Sequence, residues 1–112
     1  MKYMLMIYDR ADYWDETTLE VQEQDIATHQ AFTAYLRERG IAFSGEALMS
    51  PSAATTLHKS GDEIVFTDGP FAELKEVLGG FYIFEAADLD DAMEVARHCP
   101  VDVGLELRPV WE

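Results

Sequence analysis

Lys2-Tyr3-Met4-Leu5-Met6-Ile7-Tyr8 is apolar on both of its alternating sets, Tyr3/Leu5/Ile7 and Met4/Met6/Tyr8. Side chains point alternately to the two faces of a strand, so this run predicts a strand covered on both sides. Gly80-Phe81-Tyr82-Ile83-Phe84-Glu85, entered through Gly79-Gly80, repeats the pattern and reads as a second central strand. Between the two, Thr17-Thr18-Leu19-Glu20 has the form of a capping box, and helical spacing then runs to Arg39 with Gly40 as a stop. Residues 41–48 follow as a strand closed by Pro51, and residues 54–58 and 63–67 form a hairpin around Lys59-Ser60-Gly61-Asp62. Asp88, with Asp91 three residues on, opens a second helix lined by Leu89, Ala92, Met93 and Ala96 and ended by Pro100. Residues 103–110 supply the last strand. The order β-α-β-(β-hairpin)-β-α-β predicts an α+β, ferredoxin-like sandwich: one antiparallel sheet with two helices on one face. In a monomer of that design the other face meets water. Because both central strands are apolar there too, the pattern predicts a homodimer formed through it.

With 112 residues, 48% of them hydrophobic, the chain has length and apolar content for one domain, residues 1–112, with a real core. Eight Lys and Arg against 22 Asp and Glu give a net charge of −14, which argues against nucleic acid and against an anionic membrane as partners. The apolar runs are far shorter than the roughly 18 residues a membrane span requires. Asp9, Arg10 and Asp12 interrupt the first run before it could serve as a secretory signal, so a cytoplasmic location is expected. Cys99 is alone, which excludes an internal disulfide and a cysteine-based zinc cluster and suits a packed thiol. No metal motif, glycine-rich phosphate loop or nucleophile elbow occurs, and no cofactor is expected.

Histidine titrates nearest neutrality, and His29 is the one that falls on an apolar helical stripe. At about 100° per residue, Phe32, Leu36 and Ile26 lie close to it in projection, and Leu19 and Val21 flank the same arc. A buried imidazole needs a hydrogen-bond partner. Asp25, one turn earlier, would make this an ordinary intrahelical pair; a carboxylate across the core would orient the ring for acid–base work. The turn Thr67-Asp68-Gly69-Pro70 presents Asp68 at a sheet edge, where it can cap its own turn, face a pocket, or do both. Glu73, Lys75 and Glu76 read as a charged face, and Glu46 and Arg108 as rim residues near strand ends. His58 belongs near an exposed hairpin tip, and His98 in the last turn of the second helix.

The run Asp68-Gly69-Pro70-Phe71-Ala72-Glu73-Leu74-Lys75-Glu76, with Gly79-Gly80-Phe81-Tyr82 behind it, resembles the DGPF branch of the YCII-related family. The opening residues 2–8, Gly45-Glu46-Ala47-Leu48 and the closing Glu106-Leu107-Arg108-Pro109-Val110 extend the resemblance over nearly the whole chain. Leu74 departs from the Thr or Ser that often stands there. The resemblance implies a dimeric α+β barrel of ferredoxin-like protomers and a cleft between long helix and sheet holding a His–Asp pair. The helix histidine of His29-Gln30-Ala31-Phe32-Thr33-Ala34-Tyr35-Leu36 matches that position, and Asp68 is the acid carried over. Members mostly lack an established activity, and some stand beside sigma-factor-like regulators.

Two functions are expected from these residues. The first is a cofactor-free acid–base enzyme of isomerase or lyase type acting on a small cyclic or aromatic metabolite. His29 would be its acid or base and Asp68 the orienting partner, with Glu46, Phe71, Glu73, Lys75, Tyr82 and Arg108 contacting substrate. The second is a non-catalytic small-molecule-binding or regulatory module whose acidic surface docks a basic partner.

Overall fold

The central strand β1 (Lys2–Arg10) pairs on one side with β5 (Glu76–Glu85) and on the other with β6 (Gly104–Pro109), both antiparallel. A short strand β2 (Phe43–Ala47) closes the far edge of β5 and completes the sheet order β2-β5-β1-β6. The computed structural model describes residues 1–112, and its element order is the α+β, ferredoxin-like one that the sequence pattern predicts. Both double-sided apolar strands occupy the sheet centre, where each gains a neighbour on either side.

Three differences from the sequence reading concern local structure. The acidic stretch after β1 contains a one-turn helix, α1 (Tyr13–Glu16), closed when the Thr17 N–H donates to the Tyr13 carbonyl at 2.8 Å. Thr17 is thereby committed, so the cap of the long helix α2 (Leu19–Glu38) is Thr18, whose hydroxyl accepts from the Val21 N–H at 3.2 Å, and the Thr17–Glu20 capping box is not formed. The last central strand also starts earlier, at Glu76, because the residues after the DGPF turn pair with Arg10 and Asp9. The second helix, α3 (Leu89–Ala96), begins as read: the Asp88 carboxylate accepts from the Asp91 N–H and the Asp91 carboxylate from the Ala87 N–H, both at 2.9 Å.

The core lies between the sheet and α2 and α3. Tyr3, Leu5 and Ile7 of β1 and Tyr82 and Phe84 of β5 pack against Phe32, Leu36, Ala92, Val95 and Cys99. The inward stripe of α2 differs from the expected one. Phe32 and Leu36 are buried, but Ile26 is 57% exposed, and the half-buried positions of the N-terminal half are Gln22 and His29. The stripe therefore turns from apolar to polar along the helix, and the two kinds of position divide α2 between core and site.

The hairpin of β3 (Thr55–Ser60) and β4 (Glu63–Asp68), joined by Gly61-Asp62, forms a sheet of its own. Gly61 adopts φ +61°, the left-handed region that this tight turn requires. No helix of the structure is long and apolar enough to cross a membrane.

Candidate functional site

His29 does not bond to either carboxylate that the sequence offers. Its Nδ1 lies 2.8 Å from the Tyr82 hydroxyl, across the core from α2 to β5. Asp25 is engaged elsewhere: its Oδ2 accepts from the Tyr13 hydroxyl of α1 at 2.5 Å. Asp68 is the last residue of β4, opposite Thr55 in the separate hairpin, and no hydrogen bond joins it to His29. Nor does its side chain hold its turn; the Gly69 N–H donates to the Ala54 carbonyl, and the Gly69 carbonyl accepts from the Thr56 hydroxyl.

Packing fixes the Tyr82 ring. Phe32 meets it edge-on at 5.0 Å between centroids and Phe43 at 6.5 Å, while the His29 ring stacks at 5.9 Å. Gly45 makes room for it, since a Cβ there would stand 2.5 Å from Tyr82 Cδ1. Burial pushes the Tyr82 hydroxyl up to about 12, so the phenol keeps its proton at neutral pH. Burial also lowers the His29 pKa below its ordinary value, against a weaker opposing pull from the Asp25 charge, so the ring is neutral near pH 7. A phenol that donates to Nδ1 places the imidazole proton on Nε2, whereas a phenol oxygen that accepts from Nδ1–H leaves Nε2 bare.

Asp9 is a further half-buried acid, related to His29 through the Asp25 charge that acts on both. Asp9 sits at the end of β1 in phase with Ile7, on the helix side of the sheet. Burial raises its pKa first, and the Asp102 and Asp25 charges add to the rise. Asp25 thus acts electrostatically on both Asp9 and His29, two groups whose pKa values move toward each other. A bulge in β5 makes room for the side chain: pairing slips between Ile7 and Tyr8, leaving Gly79 without a β1 partner, and a Cβ on Gly79 would collide with the Asp9 carboxylate. In the sequence Asp9 is only a charge that ends an apolar run. The available signal was that acid together with the Gly79-Gly80 pair, which marks close approach to a neighbouring side chain.

The remaining predicted contacts are dispersed. Tyr82 alone joins His29. Glu46 is exposed on the other face of the sheet, paired across from Phe81. Arg108, exposed near the end of β6, binds Glu106 of its own strand at 2.8 Å. Phe71 is 76% exposed, stacks on His58 at 5.1 Å, and helps line an apolar hollow of about 480 Å³ with Leu48, Met49, Leu74 and Leu78. Glu73 and Lys75 are exposed, and Lys75 contributes a backbone carbonyl that accepts from the Ala11 N–H at 2.7 Å. Cys99 is a packed thiol pushed up to about 12 by burial, and His98 stacks on Tyr35 at 3.9 Å.

The family model described as the YCII-related domain matches residues 1–112. The chain is similar to an uncharacterised protein of Rhizobium meliloti (strain 1021), 35% identical over 114 residues that span 94% of this chain and 92% of the relative.

Proposed function

The chain belongs to the YCII-related domain family, and from that premise we propose that it is a cytoplasmic, homodimeric acid–base enzyme of isomerase or lyase type acting on a small cyclic or aromatic metabolite. The observation that carries the reading is the His29 Nδ1 to Tyr82 hydroxyl contact of 2.8 Å. With the Tyr82 hydroxyl donating to Nδ1, the neutral ring carries its proton on Nε2, a donor suited to a carbonyl oxygen. Asp9, raised by burial yet ionisable, accepts the proton from the carbon beside that carbonyl. Returning the proton at a neighbouring carbon gives an isomerase; loss of a leaving group from that carbon gives a lyase. Tyr82 replaces Asp68 as the orienting partner in this reading. Self-association through the open sheet face, where Met4, Met6, Tyr8, Phe81 and Ile83 are half-buried, accounts for the apolar second side of β1 and β5.

Nitrogen-15 NMR of the His29 ring tests the assignment: the proton is expected on Nε2, with a pKa below 6.5 that rises in Tyr82→Phe. Turnover of small lactones and cyclic enones is expected to fall as pH drops through the His29 and Asp9 pKa values, because the neutral ring and the ionised carboxylate are the working forms. Asp9→Asn and His29→Ala should each lower turnover by about 10²–10⁴-fold while binding persists. An Nδ1–H ring, or turnover untouched by both substitutions, overturns the reading. Loss of affinity in both variants, with no turnover by the native chain, would instead establish a binding or regulatory module, the role to which the −14 charge and the exposed Asp68 and Phe71 lend themselves.

A further inference from the structure

The hairpin of β3 and β4 has no core of its own. Every residue of β4 is exposed, and on β3 only Thr56 is buried. Directly paired residues share a face, so Leu57 with Phe66 and Lys59 with Ile64 form one side of the hairpin, in which Leu57, Ile64 and Phe66 are 52%, 63% and 66% exposed. An isolated two-stranded hairpin is marginal in water at best. Hydrogen bonds among Ala54, Thr56 and Gly69 tie its base, and its apolar side stays more than half exposed.

The dimensions of the molecule say how much cover is missing. A compact monomer of 12.7 kDa exposes about 6,200 Å² and a 112-residue domain has a radius of gyration near 13 Å, whereas this chain exposes 8078 Å² with a radius of 16.0 Å. The excess, about 1,800 Å², falls within the share that each protomer of an obligate dimer buries. The net charge of −14 opposes the approach of a second copy wherever acidic residues would face each other. On the Leu57, Ile64 and Phe66 side of the hairpin the charged residues are Lys59 and Asp68, which balance, so like-charged copies can meet there. Six residues at about 3.3 Å each give the arm a reach near 20 Å, twice the roughly 10 Å spacing of stacked sheets.

We propose that the β3–β4 hairpin is an exchanged arm: it crosses a homodimer interface and buries the Leu57, Ile64 and Phe66 side against the flank of a second copy of this chain. This goes beyond the sheet-face contact proposed above and rests on it only in requiring a dimer. Both arms embrace reciprocally under the two-fold symmetry of such a pair. The same contact covers the two unpaired edges of the hairpin, which would otherwise template aggregation.

The test places a photo-crosslinker on the arm and measures assembly alongside. Leu57→Cys is labelled with a benzophenone maleimide, Cys99 being buried, and mixed with nitrogen-15 chain before illumination. A crosslink from labelled to heavy chain is the expected product. In sedimentation equilibrium, Ile64→Asp with Phe66→Asp should raise the dimer dissociation constant by at least about tenfold while circular dichroism of the protomer stays unchanged. If the native chain sediments at 12.7 kDa at micromolar concentration, the arm and the sheet-face dimer both fall. If the dimer forms but the crosslink stays within one chain, or the doubly substituted arm dimerises with the native constant, the arm proposal alone falls.

Discussion

The four-stranded sheet with its helices and the β3–β4 hairpin both contain large apolar strand formers, yet these end in opposite conditions. Leu5 and Leu36 are fully enclosed at 0% exposure, whereas Phe66, a larger apolar residue, is 66% exposed. The difference lies in layers. β1 and β5 have strands on both sides and helices above, so each apolar side chain removes surface from several neighbours at once. The hairpin is a single two-stranded layer. Hydrophobic strand formers specify a strand in both places, and only a second layer converts them into stability.

The largest expected effect breaks the enclosed half. Leu36→Ala should cost about 2–5 kcal/mol, read from urea unfolding, and a value under about 1 kcal/mol would mean that α2 is not the core's main cover. Between core and site, Gly45→Ala forces a methyl onto the Tyr82 ring and should cost about 1–3 kcal/mol. It should also displace the hydroxyl from His29 Nδ1, so the same variant is expected to raise the His29 pKa. A stability loss with the His29 titration unmoved would separate the packing of Tyr82 from its role at the site. The smallest effect sharpens the contrast: Phe66→Ser, unfolded at a dilution where copies are apart, should change protomer stability by no more than about 0.5 kcal/mol. A core-sized loss there would show that the hairpin packs on its own protomer.

Much of the fold was legible because its signals are local. Alternation identified both central strands, Asp88 and Asp91 identified the start of α3, and the turn residues Gly61 and Asp62 placed the hairpin. The long-helix cap shifted by one residue because Thr17 serves the one-turn helix before it, a competition between neighbours that a single motif does not encode. At the site, His29 was recognisable as a polar residue on an inward stripe. Its partner was not, because Tyr82 reads as one more aromatic in an apolar strand until the sheet places its hydroxyl opposite the helix.

Sequence alone determined the element order, the two central strands, the family's motif and the choice of His29, since each depends on residue type and near-neighbour spacing. Tertiary structure decided who meets whom. It gave His29 to Tyr82 and Asp25 to Tyr13, set the Asp9 carboxylate against the bare backbone of Gly79, and left Asp68 on the hairpin. The physical reason is that hydrogen bonds and desolvation act over a few ångströms in space, between residues whose separation along the chain carries no mark of the meeting.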